Sequence, residues 1–261
     1  MTTTTLAAPI RMNTTGVHAR PGLGRLVAVE LRKMADTRAS FWLQVGMVAL
    51  TVVVVVVRLL VGDAADHTFG SVVDAGLQPA AVLLPVLGIL LVTSEWTQRT
   101  GLITFTLVPV RSRVLVAKLI ASLLMAVAML AMAVAVVAAG VLVSAPGVEG
   151  TWSDALPLIG QSAVYLTTGT MAGVALGAIL LASAPAIVLR FALPVAWMAV
   201  LSLPVFSGVG PWADYASAVG QMTAEVMSAT EWAQAGTSLV IWMVLPLLIG
   251  AWRITRREST A

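Results

Sequence analysis

The chain alternates long apolar runs with short polar ones, and the length of the runs sets the first expectation. A hydrocarbon layer roughly 30 Å thick needs about 20 apolar residues in helical form to cross it. Phe41 to Val61 is one such run, interrupted by Gln44 near its start and Arg58 near its end. Leu77 to Thr93 is the second, and Val114 to Ser144 the third, with its apolar part beginning after Lys118. Ile159 to Ala182, Pro185 to Phe206 and Trp232 to Trp252 follow. Only Ser183 and Ala184 separate the fourth from the fifth, which predicts a tight helical hairpin. The pattern is that of an all-α polytopic membrane protein with six transmembrane helices. Pro85, Pro194, Pro204 and Pro246 fall within these spans and predict kinks.

The flanks carry a different pattern. Residues 1–23 read as a flexible tail, 24–252 as the membrane domain and 253–261 as a second tail. Between Gly24 and Ser40, Leu26, Val27, Leu31 and Met34 can share one helical face, while Arg25, Arg32, Lys33 and Asp36 lie largely elsewhere. That spacing suits an amphipathic helix on the inner leaflet, and a merely basic juxtamembrane segment is the alternative. The first span is longer than the roughly 7–15 apolar residues of a signal peptide, so cleavage is not expected. Between the fifth and sixth spans, Ser207 to Glu231 is too long for a turn, and Ala216 to Thr230 predicts a short helix on the outer mouth.

Composition sharpens the class. Of the 261 residues, 59% are hydrophobic and 10% charged, against about 25% charged in a soluble domain. The mean hydropathy is +0.97. A soluble enzyme and a disordered chain are both excluded. The pI near 10.0 does not mark a nucleic-acid binder, because the net charge is only +3 and the basic residues are not gathered on one face. The absence of cysteine removes disulfides, thiolate metal sites and cysteine nucleophiles together.

Charge also orients the spans. Arg11, Arg20, Arg25, Arg32, Lys33 and Arg38 precede the first, and Arg99, Arg111, Arg113 and Lys118 lie around the second-to-third connection. Arg190 sits by the fourth-to-fifth turn, and Arg253, Arg256 and Arg257 follow the sixth span. All fall on one side, and only Arg58 falls on the other, beside acids such as Asp63, Asp66 and Asp74. Both termini are therefore expected in the cytoplasm, with the protein in the plasma membrane. Trp42, Trp96 and Trp252 at one boundary and Trp152, Trp212 and Trp232 at the other fit an aromatic belt. Trp197 and Trp242 lie deeper, as packing residues.

Missing chemistry narrows the function. No Asp or Glu is expected inside a span, which disfavours a carrier driven by a coupling ion. The phosphate loop needs Gly-Lys-Ser/Thr, yet Lys33 follows Arg32 and Lys118 follows Ala117. His18 and His67 fall on opposite sides, as solvated residues rather than metal ligands. No catalytic, cofactor-binding or metal residue is assigned, and the chain is not expected to be an enzyme. Gly169, Gly173 and Gly177 recur every fourth residue and clear a groove for close helix packing, within the chain or at a dimer seam. Ser162, Thr167, Thr168 and Thr170 on the same span either line a polar path or satisfy backbone groups.

The connection after the second span reads Ser94-Glu95-Trp96-Thr97-Gln98-Arg99-Thr100-Gly101, continuing through Val108-Pro109-Val110-Arg111-Ser112-Arg113 to Lys118. This resembles the permeases of ATP-binding-cassette (ABC) transporters of the type-2 exporter family. There an acidic residue leaves the second helix, a Gly/Thr segment follows, and a Pro-x-Ser/Arg-Arg turn leads to a lysine opening the third. Glu95, Gly101, Pro109, Arg111, Arg113 and Lys118 match. The resemblance implies a half-transporter in the membrane with no cofactor of its own. A second permease subunit, copy or sister chain, would pair with it. Separate ATPase subunits would hold ATP and Mg²⁺, and the substrate would be an amphipathic drug, lipid or glycan. It implies too that Glu95, Arg99, Gly101, Pro109, Arg111 and Arg113 form the ATPase-coupling segment, with Glu95 facing a base on the partner. The alternatives are a non-transporting anchor or sensor, or a secondary carrier.

The orientation has a direct test. A reporter fused after Ala261 is expected in the cytoplasm, and a cysteine introduced at Gly150 is expected to react with an impermeant label from outside. Labelling only after permeabilisation would reverse the topology.

Overall fold

A computed structural model describes residues 22–61, 67–97, 111–206 and 208–256. Most of these are helical, with no strand among them, and six helices are long and apolar enough to cross a membrane. The chain is thus an all-α, multi-pass membrane protein. Helix α1 (Leu23–Asp36) precedes α2 (Arg38–Leu60), α3 (Phe69–Thr97), α4 (Arg111–Ser144), α5 (Ala155–Leu180) and α6 (Ser183–Leu201). Two short helices, α7 (Gly210–Ala213) and α8 (Tyr215–Gly220), lead to α9 (Ala229–Leu239), which continues through a π-helical turn (Val240–Val244) into α10 (Leu245–Arg256).

Local chemistry sets the breaks. Thr37 is extended, so the chain turns from α1 into α2 within one residue. At the α5–α6 hairpin Leu181 takes a left-handed conformation (φ 55°), and its N–H caps the carbonyl of Gly177 at 2.8 Å. The π turn precedes Pro246, which has no N–H to donate four residues back. The Leu245 N–H reaches the carbonyl of Val240 five residues back instead. Pro204 does not kink the fifth span as expected. Helix α6 stops at Leu201, and Pro204 opens a separate 3₁₀ turn through Phe206. Pro79 and Pro85 in α3 and Pro194 in α6 are accommodated within their helices.

Helix α3 is the hub, packing on α2, α4 and α5. Val72, Leu77, Leu84 and Leu87 on it are fully buried. The glycines of α5 set the closest contact. A Cβ at Gly173 would collide with the backbone carbonyl of Pro85, and one at Gly177 would lie 3.1 Å from the carbonyl of Ile89. The groove of Gly169, Gly173 and Gly177 thus faces α3 of the same chain, and the Pro85 ring covers Gly169. Helix α2 and helix α6 present exposed apolar side chains, among them Val53, Val57, Val188 and Val195, as a lipid-facing surface requires.

Helix α3 runs further than its apolar core predicts, from Phe69 rather than Leu77 and to Thr97 rather than Thr93. Asp74 and Glu95 therefore lie within a spanning helix, contrary to the expectation that no span holds an acid. Both are near its ends and both have partners. Asp74 Oδ1 accepts from the Thr223 hydroxyl at 2.5 Å, and Glu95 is ion-paired.

Gly160 lies on the same helix as Gly173 but has open space where a Cβ would go. Gly173→Ala is expected to lower stability by about 1–3 kcal/mol through overpacking, and Gly160→Ala to raise it by up to about 1 kcal/mol through helix propensity. Thermal unfolding of both variants in detergent measures the difference. Equal melting temperatures would remove α5–α3 contact as the packing constraint.

Candidate functional site

Glu30 falls on the apolar stripe of α1, between Leu26 and Met34 at spacings of four. Helical periodicity therefore carries its side chain inward with Val27 and Met34, and it is only 4% exposed. There it meets Lys118 in the second turn of α4. The Lys118 ammonium donates to Glu30 Oε2 at 2.7 Å, to the Leu91 carbonyl at 2.9 Å and to Glu95 Oε1 at 3.2 Å. All three of its N–H groups are thereby used. Lys33, one turn after Glu30, donates to Glu30 Oε1 at 2.7 Å and to Glu95 Oε1 at 2.8 Å. Two carboxylates and two ammonium groups form a closed, neutral network joining α1, α3 and α4.

The chain has only two lysines, and both are here. A compact ammonium can serve converging acceptors from two helices, whereas the planar arginine fork favours one bidentate partner. Burial works against the charged form of Lys33, but the hydrogen bonds and charges of Glu30 and Glu95 outweigh it and hold its pKa above the usual lysine value. This contribution to docking is fully present at neutral pH. It fades only as pH rises through that elevated pKa.

The structure redistributes the expected site residues. Glu95 turns inward onto Lys33 and Lys118 instead of outward to a partner. Arg99, Gly101 and Pro109 lie outside the described residues. Arg111 begins α4, and Arg113 is half-buried in its first turn. Glu30 was not legible as a site residue, although its position on an otherwise apolar stripe was the available signal. The hydroxyls of Thr167, Thr168 and Thr170 donate to carbonyls four residues back on α5, at 2.6 Å each, satisfying backbone rather than lining a path. His67 is 5% exposed, not solvated.

At the opposite end of the bundle, the segment after α6 enters the helices rather than resting on their mouth. Gln161 of α5 donates to the carbonyls of Met222 and Glu225 and accepts from the Met227 N–H at 2.9 Å. Trp197 and Trp242 pack edge-to-face, and both indoles donate to the Ala213 carbonyl, at 3.1 and 2.8 Å. Irregular backbone survives at membrane depth only with such internal partners. Arg190 is not a boundary charge at the fourth-to-fifth turn. It lies two turns into α6, its guanidinium 5.4 Å from the centre of the Tyr215 ring. Comparison of the sequence with protein-family models and with curated proteins finds no match in either.

Removing one member of a buried charge network leaves its partner uncompensated, typically at about 3–5 kcal/mol. Lys118→Met is expected to destabilise the protein by that order, while Lys118→Met with Glu95→Gln recovers much of the loss. Hydrogen exchange of the α1 amides, with thermal unfolding, reads both. Additive losses in the double variant would show that the two residues do not interact.

Proposed function

We propose that the chain is the membrane-spanning permease subunit of an ATP-driven ABC transporter of the type-2 exporter family. It sits in the plasma membrane with both termini cytoplasmic and pairs with a second permease subunit. ATP and Mg²⁺ bind on separate ATPase subunits, and the complex exports an amphipathic drug, lipid or glycan. One observation carries this reading: a buried ion network ties the surface helix α1 to both helices that flank the Glu95–Arg113 connection. A push on that connection, or on α1, moves α3 and α4 with it. Helix α3 in turn packs against α5 through glycine contacts that leave no slack. This is the mechanical requirement for turning nucleotide-driven motion of a docked partner into motion of the spans. A mere anchor has no such need, and a sequence without a phosphate loop needs the energy from another chain.

The test uses the protein purified from its own membranes. A phosphate-loop ATPase is expected to co-purify, and the reconstituted complex is expected to transport only with ATP. A single charge in a docking connection typically contributes little, so Arg99, Arg111 and Arg113 are changed to alanine together. Glu95 is left intact, since its loss would break the ion network. The triple variant is expected to insert normally and to lose most transport and most substrate-stimulated ATP hydrolysis. Normal transport at normal expression would place the coupling elsewhere, and a complex without any ATPase would refute the reading.

A further inference from the structure

One side of α1 is engaged in the ion network, and the opposite side is not. Helical periodicity puts Val27, Glu30 and Met34 together, and all three are buried. The other side carries Arg25, Val29, Arg32 and Asp36, all exposed. Arg38, which opens α2, is exposed as well. Among the described residues, none of these three arginines has an ion pair or a side-chain hydrogen bond. Asp36 is the one acid of α1 on that side, so three positive charges face one negative. An amphipathic helix at a membrane surface ordinarily sinks its apolar stripe into the acyl chains. Here the protein takes that stripe, and what α1 offers to its surroundings is a basic face.

The neighbours of α1 set its level. Along α2 the exposed side chains change from charged to apolar between Arg38 and Phe41, and every exposed residue from Phe41 to Val61 is apolar. Phe41 and Trp42, 51% and 67% exposed, stand at this change, as aromatic residues do at a membrane–water interface. The last turn of α1 lies beside the second turn of α2, because Gln44 Nε2 donates to the Met34 carbonyl at 2.7 Å. One turn earlier, Glu30 meets Lys118, which also reaches the Leu91 carbonyl, six residues before the end of α3. Helix α1 thus packs on the flanks of α3 and α4, not beneath their ends. Its outward side faces away from the bundle at the level where lipid head groups lie.

We infer that this face, Arg25 and Arg32 with Arg38, binds the head groups of anionic phospholipids. The planar guanidinium fork matches two phosphate oxygens. A net negative head group adds attraction of about fivefold for each basic residue near the surface. Arg25 and Arg32 are about 10 Å apart along one side of the helix, which lets each hold its own head group. Glu30 and Lys33 tie the same helix to α3 and α4, so lipid charge bears on the position of those spans. The inference does not depend on export, because a non-transporting anchor with this face would bind the same lipids.

The experiment uses the purified full chain in phosphatidylcholine nanodiscs with a trace of phosphatidylglycerol bearing a diazirine next to its head group. Cross-links are expected on peptides from 23–42 and not on those containing Arg58. Unlabelled phosphatidylglycerol is expected to compete, inorganic phosphate to be weaker by about tenfold or more, and salt raised from about 0.05 to about 0.5 M to lower labelling severalfold. Changing Arg25, Arg32 and Arg38 to glutamine together is expected to cost about tenfold or more in labelling without moving the melting temperature, and Arg58→Gln to cost none. Diazirine-bearing phosphatidylcholine labelling the same peptides equally, or the triple variant labelling like the parent, would overturn the lipid face. Equal competition by phosphate would make it a free-anion site instead. Equal labelling by both lipids, with a co-purifying ATPase lost from the triple variant, would make it a protein-docking surface. The competition and salt series need no variant, so a misfolded triple variant does not rescue the idea. Selective labelling without any ATP-driven transport would refute export and leave the lipid face in place, and transport without selective labelling would do the reverse.

Discussion

Inside a hydrocarbon layer no polar group can fall back on water, so polar groups there are driven to find partners within the protein. This constraint shapes the structure at each level. It makes the spans helical, so that backbone bonds close within each segment. It explains why the threonines of α5 donate to their own helix. It also explains why four of the charges that enter the bundle are gathered in one place. Glu30, Lys33, Glu95 and Lys118 satisfy one another almost completely, and the Leu91 carbonyl takes the remaining ammonium proton.

That network and the glycine contact of α5 with α3 do different physical work. The glycines bring two backbones together where dispersion, not the hydrophobic effect, is the available attraction. Such a contact is insensitive to charge and tolerates no added atom. The ion network is the opposite: tolerant of small movements, intolerant of losing a partner. Together they join α1, α3, α4 and α5 into one body. Helix α6 stands apart, with much of its surface exposed. The inserted segment from Gly210 to Ser228 fills the space beside it, held by Gln161, Trp197 and Trp242.

The sites where sequence reading and structure part company are instructive. Lys33 and Arg32 are adjacent basic residues, yet one docks into the network and the other stays exposed. Arg190 counts as a boundary charge if only distance from the nearest turn is considered. The Tyr215 ring that actually receives it comes from a segment 25 residues further along the chain. Asp74 and Glu95 end an apolar run in a hydropathy reading because a lone acid is costly there. Their helix continues through them because Thr223 and Lys118 remove that cost.

What the sequence determined by itself is therefore what depends on local composition and period. Run lengths define six spans, the stripe of Leu26, Val27, Leu31 and Met34 defines an amphipathic helix, and the four-residue recurrence of Gly169, Gly173 and Gly177 defines a packing face. Tertiary structure decided everything that needs two distant segments. It chose α3 as the partner of the glycine face, closed Glu30 onto Lys118 across 88 positions, drew the segment after α6 into the bundle and set Arg190 against the Tyr215 ring. The physical reason is that a helix and its apolar face are set by nearest neighbours along the chain. A buried charge, by contrast, is costly without a partner, and one linear sequence does not say which residues will be brought within hydrogen-bond distance of each other.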